Sequence, residues 1–153
     1  RVASKVGSDA EPEDPMSEAI AAQRAMATRG RAEDRIDDAI ASYQQLVKNF
    51  GADRPAAITL NRKAQFQIGG ELYRRGMYDL ADLAFSRFVD AYPTGSESAE
   101  VRVLLARIKA RHTGERDAAL ALLECAIATR GEGDVLAAAR AELAMIRGGG
   151  ATA

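Results

Sequence analysis

The sequence has one cysteine, Cys125, and no tryptophan. A lone thiol cannot close an internal disulfide, so the fold must hold itself by packing. Aromatic residues make up only 5% of the chain, which leaves aliphatic side chains to build most of any core. Neither sign of charge dominates: 21 Lys and Arg stand against 22 Asp and Glu. No overall field therefore draws the chain onto nucleic acid or an anionic membrane. Long apolar runs are missing as well. The longest, Ala118–Leu123, is stopped by Glu124, far short of the ~20 residues of a membrane-spanning helix. β-Branched residues are scarce, with 7 Val and 8 Ile against 32 Ala and 12 Leu.

What is present favours helix, because Ala and Leu lose least on entering one. A hydrophobic share of 47% argues against wholesale disorder, which needs low hydrophobicity and high net charge. The length of 153 residues suits one ordinary domain. Because the chain begins at Arg1 rather than Met, it reads as part of a longer or processed product.

Glycines punctuate the chain where helices should stop: Gly30, Gly51, Gly76, Gly114, Gly131 and Gly148. Pro93 adds a stop after Tyr92. Asp14-Pro15 and Asp53 with Pro55 have the form of helix starts, and Thr94 to Glu97 has the spacing of a capping box. These signals predict seven helices, over 15–29, 32–50, 54–75, 77–92, 97–112, 115–130 and 134–147. Residues 1–14 are expected to be a flexible acidic tail and 148–153 a second flexible tail, around a helical-repeat domain over 15–147. Nothing reads as a strand, since Val and Ile fall in helical spacing rather than alternation.

The apolar stripes repeat. Ala39, Ala81 and Ala119 align at steps of 42 and 38 residues. Four residues on stand Tyr43, Phe85 and Leu123. Three further stand Leu46, Phe88 and Ala126, each followed by Val47, Val89 or Ile127. Such periods mean arrays of helical hairpins, each burying its apolar face on the next. The last helix, with Leu136, Ala139, Leu143 and Ile146 on one side, is expected to close the array, with Arg140, Glu142 and Arg147 pointing elsewhere.

The middle copy resembles a tetratricopeptide repeat. Its matching run is Gln65, Ile68-Gly69, Leu72-Tyr73, Gly76, Tyr78, Ala81, Phe85 and Pro93. Gly69 and Ala81 are small so that two helices can cross closely, and Phe85 fills the space beside them. In the third copy, Leu105-Ala106 stands where Ile68-Gly69 does. The spacings exceed the family's usual period of about 34. The segment from Phe85 to Ala106 is also similar to repeats of bacterial envelope proteins. The resemblance implies an all-α fold: three helical hairpins and a capping helix, stacked as a short right-handed solenoid.

Reactive constellations are sparse. His112 falls at a helix end and Cys125 about ten residues down the next helix, on the order of 15 Å away, too far for a nucleophile pair. One His and one Cys cannot build a structural zinc site. Glu33, Asp34, Asp37 and Asp38 sit where a helix N-terminus favours acids. No EF-hand, Walker or complete dinucleotide-binding pattern occurs. The reading is therefore a non-enzyme without metal or cofactor.

Arg102, Arg107, Lys109 and Arg111 crowd one helix and read first as a solvated face. In tetratricopeptide arrays the first helices line the concave side. The resemblance places Lys63, Phe66, Tyr73 and Arg74 there, joined by Arg107 and Arg111, as candidate contacts for an acidic or aromatic-containing protein or peptide. Phe66 and Tyr73 lie off the main apolar stripe, so a neighbouring helix or a ligand must cover them. Relatives that clamp a terminal carboxylate use Asn and Lys on the first helices. Only Asn61 is available, and it falls toward the packed stripe, so that activity is not carried over. The favoured function is a non-catalytic protein-interaction module. The alternative is a structural or regulatory extramembrane subunit of a larger bacterial complex, and nucleic-acid binding ranks third. Cytoplasm and bacterial periplasm are both compatible.

Overall fold

The computed structural model describes residues 21, 24–28, 35–51, 53–130 and 133–152. Among them every regular element is helical: α1 (Ile36–Phe50), a 3-10 turn (Pro55–Ile58), α2 (Arg62–Arg74), α3 (Tyr78–Ala91), α4 (Ser96–Arg111), α5 (Arg116–Arg130) and α6 (Asp134–Thr152). The chain divides into two compact units, Arg1–Leu60 and Asn61–Ala153. The expected tail over 1–14 and most of the helix expected over 15–29 lie outside the described residues.

In the first unit, α1 buries Ala39, Ile40, Tyr43 and Leu46, and residues 24–28 are helical with Ala27 buried. A continuous helix over 54–75 is not what forms. The Tyr43 hydroxyl donates to the Ile58 carbonyl at 2.8 Å, and Arg24 donates to the Thr59 carbonyl at 2.6 Å. A helix running through this point would need those two carbonyls for the amides of residues 62 and 63. Side chains take them instead, Thr59 turns extended, and Asn61 starts a fresh helix.

The second unit is a series of antiparallel neighbours. Each of α2 to α5 packs on the next, and α6 also packs on α4. Helix α6 thus lies against α4 as well as against its sequence neighbour α5. The repeat register holds at nine of the twelve aligned positions, Ala39, Ala81 and Ala119, Tyr43, Phe85 and Leu123, Leu46, Phe88 and Ala126, which are completely buried, while Val47, Val89 and Ile127 are half-buried.

Helix α2 ends in a Schellman motif. The Met77 amide reaches the Leu72 carbonyl and the Gly76 amide reaches Tyr73; Gly76 sits at φ 77°, which only glycine takes freely. The capping box expected before α4 does not form. Gly95 holds the cap position without a side-chain bond. Glu97 pairs instead with Arg62 at 3.0 Å, and the Ser98 hydroxyl lies within donating reach of the Tyr92 and Thr94 carbonyls. At the other end α6 continues through Gly148 to Thr152, past the Arg147 end expected. Glycine costs about 1 kcal/mol in a helix, and no proline follows to stop it.

Candidate functional site

The α2–α3 hairpin is set by a close crossing. A Cβ on Gly69 would stand 2.5 Å from Cε1 and 2.7 Å from Cδ1 of Phe85, so only glycine allows the two helices this approach. Gln65, fully buried, donates from Nε2 to the Ala84 carbonyl at 2.8 Å and ties α2 to the backbone of α3. The Asn61 side chain accepts the Ala64 amide at 2.9 Å. It is an exposed helix cap, not part of the packed stripe as its position suggested.

This crossing fixes the outer face of α2. Phe66 is half-buried, its ring tilted 52° against Phe88 at 6.0 Å. Tyr73 meets Tyr78 edge-on at 5.8 Å, and Tyr78 stacks on His112 at 3.6 Å. Neighbouring rings of α3 therefore cover part of each aromatic, and the remainder stays accessible. Lys63 and Arg74 are exposed on the same helix. Arg74 and Arg75 both pair with Glu71. Their hydrogen bonds hold the Glu71 carboxyl below the usual carboxylate range.

The two arginines of α4 have a partner that the sequence reading missed. Arg107 Nε donates to Glu142 Oε1 at 3.1 Å, and Arg111 Nη2 donates to the same oxygen at 2.9 Å. Glu142 was expected on the wet side of α6 and is only 3% exposed. The missed signal is its spacing: it stands three residues after buried Ala139 and four before Ile146, within the inward stripe. The structure brings Arg107 and Arg111 together on Glu142, while Phe66 and Tyr73 pair with rings of α3.

The solvated face expected for α4 is likewise only partial. Arg102 is buried and donates to the Pro93 carbonyl at 3.0 Å. Lys109 bonds Asp82 at 3.1 Å and Glu115 at 2.7 Å. Burial disfavours the Lys109 charge, but its hydrogen bonds to Glu115 and Asp82 outweigh that, and its pKa lies above the ordinary lysine value.

Residues 63–95 match the tetratricopeptide-repeat family model. This segment is a tetratricopeptide-like repeat. The matched segment covers nearly all of α2 and α3 and ends in the turn before α4. No curated protein matches the chain. Repeats of this type are generally non-catalytic interaction modules. Among the described residues, no three His, Cys, Asp or Glu side chains group as a metal ligand set, and no helix is long and apolar enough to cross a membrane. Cys125 is half-buried in α5, and His112 is exposed at the end of α4.

Proposed function

We propose that the chain is a non-catalytic scaffold that docks a protein or peptide partner. The observation that carries this reading is the tetratricopeptide repeat at 63–95, whose first helix presents Lys63, Phe66, Tyr73 and Arg74 at least partly to solvent. Two aromatic rings between two cations suit an acidic or aromatic-containing segment, because Tyr, Trp, Phe and Arg dominate the energetics of protein interfaces. The candidate site extends to Arg107 and Arg111 on α4, whose exposed edges remain beyond Glu142. The second reading, a structural or regulatory subunit, gains if Arg107 and Arg111, already engaged by Glu142 within the fold, take no part in binding.

The test is selection of peptides from a random display library on the full chain, followed by chemical-shift mapping of the selected sequences. Shifts on Lys63, Phe66, Tyr73 and Arg74, lost in Phe66→Ala, are expected. Selected binders that map to α3 and α5 would move the site to the opposite face. Failure to select any binder would favour the subunit reading.

A further inference from the structure

A cleft away from the α2 face uses none of the α2 residues. It lies where the end of α4, the turn into α5 and the later part of α6 meet. Its volume is ≈ 300 Å³, and Ala110, Arg111, Arg116, Glu142, Met145 and Ile146 line it. That volume is at the lower end of small-ligand sites, enough for one bulky side chain and its flanking backbone. Met145 is 56% exposed at the rim, one of two large apolar side chains so exposed among the described residues. A methionine left in that position is a flexible, polarisable contact surface.

The charges around the cleft do not balance. Glu142 is the single carboxylate in its wall, and it is already shared between Arg107 and Arg111. Its Oε2 touches Arg111 Nη2 at 2.8 Å as an ion pair but receives no aligned hydrogen bond. Arg111 keeps 44% of its side chain exposed. Arg116 is exposed, and no acidic side chain among the described residues pairs with it. Two guanidinium groups therefore stand at the mouth of a largely apolar slot with less than one carboxylate between them. The missing charge is negative.

We propose that this cleft docks a peptide segment in which a bulky apolar side chain is flanked by carboxylates. The apolar side chain enters against Ala110, Met145 and Ile146. The carboxylates pair with Arg116 and the open edge of Arg111, whose planar forks suit that geometry. This site rests on the interaction-module reading and adds a second face to it.

The experiment titrates the isotopically labelled full chain with a capped pentapeptide, a central leucine between pairs of glutamates. Saturable shifts are expected at Ala110, Arg111 and Gly114 and at the methyl groups of Met145 and Ile146. Replacing the glutamates by glutamines, or the leucine by alanine, should each weaken binding about tenfold, and added salt should weaken it too. Arg116→Glu should weaken it by a similar factor. Arg116 opens α5 and is exposed, and an acid is favoured in a first helical turn, so this variant keeps the fold. Absent shifts, or binding unchanged in Arg116→Glu, would overturn the site. Shifts confined to Lys63, Phe66, Tyr73 and Arg74 would overturn it while supporting the α2 face. The display selection decides the module reading independently.

Discussion

The α2–α3 hairpin and the α4–α5 hairpin reach the same architecture with different side chains. In the first, glycine at position 69 meets the Phe85 ring, and Phe88 extends the contact. In the second, the aligned positions hold Ala106, Leu123 and Ala126, all completely buried in one cluster with Ala99, Val103, Ala119 and Ala139. A large side chain opposite no side chain has become a medium one opposite a methyl group. The crossing is conserved in volume rather than in residue type, as close-packed interiors require. The family match stops at residue 95, although hairpin packing continues through α6. The tetratricopeptide pattern follows the glycine–aromatic solution, and the second hairpin uses the other one.

The largest expected effect breaks the first solution where it is concentrated. Phe85→Ala should destabilise the chain by about 3–5 kcal/mol, the usual cost of truncating a buried phenylalanine. Ala126→Gly, in the second hairpin, should cost only about 1 kcal/mol. Denaturant midpoints of the two variants test this. Equal losses would mean that the packing of the first hairpin is as evenly distributed as that of the second.

A sharper test moves one solution into the other hairpin. Gly69→Ala should cost about 1–3 kcal/mol, since its methyl group meets a ring with nowhere to go. Phe85→Leu alone should also destabilise, by leaving a void. The double variant reproduces the Ala106 and Leu123 pairing, so its loss should be smaller than the two single losses added together. Gly70→Ala is the control. Only Arg74 Nη1 approaches that position, at 3.7 Å, so it should gain up to about 1 kcal/mol. Strict additivity of Gly69→Ala and Phe85→Leu in thermal melts would refute the volume exchange.

These contrasts show what the sequence made legible. The alignment of Ala81, Phe85 and Phe88 with their counterparts gave the buried register, because stripes at helical spacing report directly on packing. The repeat pattern singles out Gly69 for the close crossing beside Phe85, and the structure agrees: a Cβ there would meet the Phe85 ring, whereas at Gly70 only Arg74 approaches. The break before Asn61 was hidden because its causes, Tyr43 and Arg24, lie 15 and 35 residues from the carbonyls they capture. The capping box failed for a related reason, since Glu97 is engaged by Arg62, also 35 residues away. At the candidate site, the position of Phe66 and Tyr73 off the stripe calls for some covering surface, and rings of α3 supply part of it. Glu142 was missed because a carboxylate in an apolar stripe was read as wet, without the Arg107 and Arg111 pair that makes its burial tolerable.

That triad ties α4 of the second hairpin to α6 through a polar contact. Breaking a buried ion pair costs about 3–5 kcal/mol when the orphaned charge stays buried. Here the two arginines are 31% and 44% exposed and can turn to water, so Glu142→Gln should cost about 1–2 kcal/mol. Urea titrations measure it. The contribution should fall only slightly in high salt, because the carboxylate is shielded from solvent. A loss in Glu142→Gln that disappears in high salt would identify the triad as an ordinary surface pair.

The smallest effect lies where the two hairpins meet. Lys109 on α4 reaches Asp82 on α3 and Glu115 in the following turn, with 16% of its side chain exposed. Its raised pKa means that the folded state holds the proton more tightly than the unfolded chain does. The stabilisation is therefore fully present below the unfolded lysine value, roughly 10.4, and is lost as pH rises through the higher folded value. The difference in urea midpoint between the native chain and Lys109→Met isolates this contribution from the other groups that titrate in alkali. It should be flat from neutral pH to about 10 and shrink above that. A difference that stays constant through the alkaline range would show that the Lys109 charge adds nothing, leaving the Arg62–Glu97 pair as a charged link between the two hairpins.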